Sequence, residues 1–199
     1  IDEMTNLSLK HREALKESYE VGASAPVEAM RSVDGTVKYL FRTPTNDYVE
    51  AVYIPDSDRA TLCVSSQVGC KMNCLFCMTG KQGFTNHLTA AEILNQIQMV
   101  PDSEKLTNLV FMGMGEPFDN FENTVRFLQL VSHERGLNIG LRHISLSTCG
   151  IVSGIEKLKE YNFPITLSVS LHAPFDDIRS DMMKINKKVL ISIPIVIAL

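Results

Sequence analysis

The stretch Thr61-Leu62-Cys63-Val64-Ser65-Ser66-Gln67-Val68-Gly69-Cys70-Lys71-Met72-Asn73-Cys74-Leu75-Phe76-Cys77 opens as a short β-prone run and empties into a loop with three cysteines. Thr61 to Val64 predicts a strand. The loop cysteines stand at C-x3-C-x2-C spacing. Closed structural metal sites draw all four ligands from the protein, whereas three thiolates can hold three irons of a cubane and leave the fourth open to chemistry. Spacing alone keeps three readings open. One is a zinc knuckle completed by Cys63, Cys149 or a histidine; another is a cluster used only for electron transfer; the third is an open cluster used for radical chemistry. Phe76, the aromatic residue just before the third cysteine, and the strand just before the loop favour the third.

Downstream of the loop the chain alternates strand and helix. Leu88 to Met99 predicts a helix capped near Asn86 or Thr89, Leu109 to Met114 a strand ending in glycines, and Phe121 to Ser132 a helix. His143 to Ser147 predicts a strand closing on Thr148-Cys149-Gly150, followed by a helix over Ile151 to Tyr161. Ile165 to Leu171 predicts a strand, followed by a short helix around 176–183. Such alternation gives a mostly parallel sheet with helices outside it. Right-handed crossovers then place the strand C-termini on one rim, the active rim in β/α barrels. The cysteine loop, Gly115-Glu116, Ser147-Thr148 and Ser170-Leu171-His172 all follow strands. A closed barrel takes about 250 residues, so the expected fold class is α/β, a partial (βα) barrel.

Upstream, residues 4–20 predict one or two short helices opened by Asn6 or Ser8. Thr36 to Phe41 and Tyr48 to Ile54 alternate and are rich in β-branched and aromatic residues, with turn chemistry between Thr43 and Asp47. They predict a β-hairpin. The expected organisation is a remnant of a helical accessory region over 1–26, a hairpin extension over 27–58, the partial barrel over 59–188 and an atypical apolar tail over 189–199. That tail is too short for a transmembrane helix, which takes about 20 residues.

The chain has 199 residues, and 45% hydrophobic with 21% charged residues is ordinary for a folded domain. A net charge of -4 does not by itself indicate a nucleic-acid binder, although a local basic patch is compatible with it. Lys10, His11, Arg12 and Lys16 form one candidate patch, diluted by Glu13, Glu17 and Glu20; Lys184, Lys187 and Lys188 form another, and Lys71 and Lys81 flank the cysteine loop. Cysteines number five, an odd count crowded around the loop, which fits ligation in a reducing, cytoplasmic setting better than a disulfide scaffold.

With Phe76 as its aromatic position, C-x3-C-x-Φ-C is the signature of the radical S-adenosylmethionine superfamily. The wider string from Leu62 to Cys70 resembles one branch, the adenosine-C2 methyltransferases of 23S ribosomal RNA that in bacteria also act on transfer RNA. Phe111-Met112-Gly113-Met114-Gly115-Glu116-Pro117, Leu146-Ser147-Thr148, Ser168 to Pro174 and Ile185-Asn186-Lys187-Lys188 agree with that branch in order and spacing. The resemblance runs from about residue 2 to 188. It implies a [4Fe–4S] cluster on Cys70, Cys74 and Cys77. It assigns S-adenosylmethionine binding to Gly115, Glu116, Ser147, Ser170, Leu171 and His172. It makes Glu50 the base that takes the C2 proton, and Cys63 the thiol that releases a protein–RNA adduct by forming a disulfide with a methyl-carrying cysteine.

The expected partners are 23S rRNA, tRNA and an electron donor such as a flavodoxin or ferredoxin, with no membrane and a monomeric full-length enzyme. The chemistry requires a radical because C2 of adenine is electron-poor and is not a nucleophile. The sibling C8 methyltransferases share nearly the same constellation, and a non-catalytic zinc- or cluster-binding RNA module is the alternative from another class. The family's methyl-carrying cysteine and a late cofactor-binding asparagine belong to sequence beyond the matched part, so the expectation is a truncated chain that does not complete methylation alone. Cys149 and Asn186 do not take those roles.

Overall fold

The computed structural model describes residues 1–19, 22–188 and 190. The apolar tail expected over 189–199 therefore lies, except for Leu190, outside the described residues. The chain opens with helix α1 (Leu9–Ser18), capped by Ser8, whose Oγ accepts from the His11 amide at 3.3 Å. No residue of α1 is buried, which agrees with its scattered charges. A meander follows: β1 (Glu28–Arg31), β2 (Val37–Arg42) and β3 (Tyr48–Pro55). The expected hairpin is β2 against β3, with Leu40 opposite Glu50 and the turn closed by the Thr43 amide on the Asp47 carbonyl at 2.9 Å. β1 was not expected, because all its residues are exposed and carry no alternating apolar signal.

The remainder is β4 (Ala60–Cys63), β5 (Gln67–Gly69), α2 (Met78–Gln82), β6 (Phe84–His87), α3 (Ala90–Gln98), β7 (Asn108–Phe111), α4 (Phe121–Val131), β8 (Ile144–Thr148), α5 (Val152–Tyr161), β9 (Thr166–Val169) and α6 (Asp176–Met182). Helix α3 begins two residues later than expected because Thr89 is its cap. The Thr89 hydroxyl accepts from the Glu92 amide at 3.2 Å, and Glu92 accepts from the Thr89 amide at 2.8 Å. This reciprocal box fixes where the chain leaves β6 and turns helical.

One sheet runs β1-β2-β3-β4-β7-β8-β9, antiparallel up to β4 and parallel from β4 to β9. The hairpin is thus continuous with the barrel strands through β3 and β4. The parallel half is the partial barrel expected from the strand–helix alternation. A separate ladder, β5 with β6, frames the cysteine loop.

Strand parity decides which face does what. Leu62, Leu109 and Leu146 are fully buried and pack with Ile93, Ile97, Phe127, Leu128 and Ile155 of α3, α4 and α5 in the main core. Each such side chain contributes roughly 1.5–3 kcal/mol through burial. The alternate positions Glu50, Val52, Cys63, Val110, Ser145, Ser147 and Ser168 are half-buried and share the opposite face. The registers Val52↔Cys63↔Val110↔Ser145 and Ser147↔Ser168 carry that face across the sheet. No helix among the described residues is long and apolar enough to cross a membrane.

Candidate cluster and cofactor cleft

The cysteine loop is held by backbone bonds at three places. The Cys70 amide donates to Gly83 O at 2.9 Å, the Cys77 amide to Cys74 O at 3.0 Å, and the Leu75 amide to Met182 O at 2.9 Å. Gly69 lies at φ 74°, and a Cβ there would fall 1.8 Å from Gly83 O, so only glycine lets the two strands close behind the loop. Cys70 and Cys74 are buried and Cys77 is half-buried; all are free thiols. Burial pushes the Cys70 thiol up to about 11 and raises Cys74 as well. Thiolates in such a place need a cation beside them.

All three cysteines line one cleft of about 340 Å³. Among the described residues, no group of three or more His, Cys, Asp or Glu gathers tightly enough to hold a metal ion. A zinc knuckle requires its ligands about 2.3 Å from one point. A cubane does not, since each cysteine meets a different iron. Three thiols carried by one loop on one cleft suit a cubane, with one iron left open.

The strand ends contribute the other wall residues, and Gly115, Glu116, Ser147, Ser170 and His172 line the same cleft. Glu116 is 4% exposed. Its carboxylate accepts from the Thr148 hydroxyl and the Cys149 amide, each at 2.7 Å, and from the Phe118 amide at 3.1 Å. Burial raises its pKa, and these bonds work the other way. The Cys149 thiol bonds to the carboxylate as well, so four donors surround it. Ser147 and Ser170 face each other, with their Oγ atoms 3.5 Å apart. His172 adopts φ 54°, and its ring meets Phe76 with centroids 4.3 Å apart, joining the cluster loop to the end of β9. Leu171 is the exception on this wall. Its side chain is exposed, and its carbonyl accepts from Arg179 Nε at 3.1 Å.

Glu50 and Cys63 do not line this cleft. They lie on the open sheet face that also carries Ser147, with Glu50 paired to Lys38 at 2.9 Å. Burial raises the Cys63 thiol, with partial relief from the Met112 backbone. Cys149 does line the cleft, packed with Cys74 and Met183.

Gly115 is a structural requirement of the wall. It sits at φ 101°, and a Cβ there would lie 2.6 Å from Gln67 Cβ. Gly115→Ala is expected to cost about 1–3 kcal/mol through backbone strain and overpacking. A lowered urea midpoint, measured on the metal-free chain, checks this; an unchanged midpoint would mean the turn is free to move.

Two buried polar hubs have no sequence signal beyond their residue type. Gln67, fully buried, accepts from the Glu116 amide at 2.8 Å and donates to Asp119 at 2.7 Å, while Lys71 pairs with Asp119 at 2.9 Å. Arg179, 1% exposed, ties the loops after β8 and β9 to Asn186. A charged helix reads as a solvated face, so its burial was not expected.

The chain is similar to known proteins along nearly its whole length. The Radical SAM superfamily model matches residues 64–192. A protein of Phocaeicola vulgatus named "Probable dual-specificity RNA methyltransferase RlmN" is 63% identical over 187 residues, covering 94% of this chain and 53% of its own length. A "Dual-specificity RNA methyltransferase RlmN" of Saccharophagus degradans is 45% identical, covering 94% of this chain and 49% of its own length. The crystal structure of a radical SAM methyltransferase from Sphaerobacter thermophilus superposes with a TM-score of 0.92 at 40% identity, covering 98% of this chain and 59% of that one. The chain thus spans about half the length of the curated relatives it matches. With three thiols, a glycine–glutamate turn and two serines on one strand-end cleft, and a family model spanning that segment, the chain belongs to the radical SAM superfamily.

Proposed function

We propose that this chain is the cluster- and cofactor-binding part of an RNA adenosine-C2 methyltransferase acting on 23S rRNA and tRNA. The observation that carries the reading is the meeting of Cys70, Cys74 and Cys77 with Gly115, Glu116, Ser147, Ser170 and His172 on one cleft, beside a sheet face bearing Glu50 and Cys63. The names of the relatives support the substrate class.

Cys70, Cys74 and Cys77 hold the cluster, and Glu116 with Gly115 receives the amino-acid end of S-adenosylmethionine. Ser147 and Ser170 offer hydroxyls to its polar groups, and the tilted ring pair of Phe76 and His172 lines the cleft beside them. When bound, the cluster and S-adenosylmethionine supply one-electron cleavage of the cofactor and hence a radical able to abstract hydrogen. The residues around them orient that chemistry and exclude water. Glu50 presents a carboxylate that takes the C2 proton, and Lys38 holds it in place at 2.9 Å. Cys63 presents a thiol on the same face for attack on the sulfur of the protein–RNA adduct: the S–S bond forms as the S–C bond breaks, and the released carbon keeps the electron pair and takes a proton.

The target adenine has to leave its stack to reach the face. Lys81, Lys184, Lys187 and Lys188 are exposed and make no ion pair among the described residues, so they are available to phosphates. Around α1, by contrast, Lys16 pairs with Asp2 and Arg12 donates to the Asp2 carbonyl. The reading includes a flavodoxin- or ferredoxin-type electron donor and a monomeric full-length enzyme.

The test has two arms. Anaerobic reconstitution of the 199-residue chain is expected to give cluster and 5′-deoxyadenosine. In an enzyme of the relatives' full length that carries this segment, the change equivalent to Glu50→Gln is expected to leave iron content intact and slow RNA methylation by about 100-fold, within the usual range for a lost general base. Unchanged methylation would remove Glu50 from the mechanism. A C8 product, seen by mass spectrometry of the digested RNA, would reassign the regiochemistry.

A further inference from the structure

We infer that the Arg179 guanidinium is the built-in counter-charge of the cluster held by Cys70, Cys74 and Cys77, and that it raises the cluster's reduction potential while positioning the loops after β8 and β9. The inference rests on the cluster reading above.

Arg179 is almost wholly enclosed, yet among the described residues every hydrogen-bond acceptor it meets is neutral. Nε donates to Leu171 O at 3.1 Å, Nη1 to Asn186 Oδ1 at 2.6 Å, and Nη2 to Cys149 O at 2.8 Å and Ser170 O at 3.0 Å. Among the described residues no carboxylate lies within 4.0 Å of it. Asp176 acts on it from farther away and receives the Asn186 side-chain amide at 2.9 Å. Glu116, the buried acid of the cleft, engages Phe118, Thr148 and Cys149 instead. A buried charge without a paired partner is strongly unfavourable. The carbonyl cradle satisfies the N–H groups, while the charges that act on the guanidinium are those of Cys149, Cys74 and Asp176.

The compensating charge is adjacent. Cys149, whose carbonyl Arg179 holds, packs with Cys74 and Met183. The Met183 amide donates to Arg179 O at 2.7 Å, and the neighbouring Met182 carbonyl receives the Leu75 amide at 2.9 Å. Helix α6 therefore joins the Cys74–Cys77 turn through its backbone, and the guanidinium lies near enough to Cys74 for its charge to act there. Three thiolates make the cluster site negative, and one further electron makes it more so. A cation in a poorly screened interior favours that reduced state. Local net charge is among the factors that set the potentials of such clusters.

The role is one of positioning and tuning, so the readout is a potential. The chain and its Arg179→Lys and Arg179→Gln variants are reconstituted anaerobically, assayed for iron and sulfide, and titrated with a low-potential chemical reductant under EPR. Arg179→Gln is expected to shift the one-electron equilibrium about tenfold toward the oxidised cluster, 59 mV lower. Arg179→Lys, which keeps the charge but loses the fork, is expected to stay close to the unaltered chain. Loss of the cluster in Arg179→Gln alone, with Arg179→Lys loaded, also supports the charge role. An intact cluster with an unshifted potential in Arg179→Gln overturns it, and so does failure of both variants to load, which leaves Arg179 a structural clamp. If the unaltered chain itself forms no cluster, the underlying reading fails instead.

Discussion

Cys74→Ala, reconstituted anaerobically with iron and sulfide, is expected to lose its cluster and all detectable 5′-deoxyadenosine, while Cys149→Ala loads about four irons like the unaltered chain. Both cysteines are buried and in contact with the same small apolar group, so exposure does not separate them. Position does. Cys74 belongs to the turn that carries Cys77 and is pinned by Leu75 on Met182, whereas Cys149 follows β8 and donates its amide to Glu116. With two thiolates left, the loss is expected to exceed the 10–100-fold that changes behind a metal ligand usually bring. Iron and sulfide assays with the visible spectrum check this. Equal loss of metal in both variants, with zinc in place of sulfide, would return the site to a four-ligand knuckle.

Glu116→Leu is the second large effect. The substitution removes the acceptor of the buried Phe118 amide, Cys149 amide and Thr148 hydroxyl. An unsatisfied buried donor costs about 1–3 kcal/mol. Even with partial relaxation the metal-free chain is expected to lose about 3 kcal/mol or more, a large share of the 5–15 kcal/mol typical of a domain. Glu116→Gln separates folding from binding. The amide oxygen can keep the Thr148 and Phe118 bonds, while its nitrogen cannot accept from Cys149 or from a substrate ammonium group. Its stability loss is therefore expected to be clearly smaller than that of Glu116→Leu, with weakened S-adenosylmethionine binding by calorimetry on the reconstituted protein. Equal urea midpoints for the unaltered chain and Glu116→Leu would show that the three donors find water or other partners.

The parallel units were legible because the residues of β4, β7 and β8 alternate, and because each strand is followed by a helix with its own apolar stripe. β1 was not, since Glu28 to Arg31 lie wholly in solvent and gain only backbone pairing with β2. β5, β6 and α2 are too short and too polar to show a period; they form because the cysteine loop needs a closed base, where Cys70 and Gly83 meet. The cleft residues were legible as motifs, but their partners were not. Glu116 meets Thr148 and Cys149 across 32 and 33 positions of sequence, and Arg179 meets Cys149 across 30. The positive φ of His172, which turns its ring onto Phe76, likewise depends on the loop being held from behind.

The alternating sheet also limits how this sequence can change length. Glu50, Cys63 and Ser147 share one strand parity, and Leu62, Leu109 and Leu146 share the other. A single residue inserted within β4 or β8 would exchange the two sets beyond it, pressing a thiol or hydroxyl into the oily side and turning leucine outward. Length variation is therefore confined to connectors such as 101–107 and 132–143, away from the strand-end rim. Length changes in those connectors leave the strand parity intact, whereas the strands can change only by substitution at constant length.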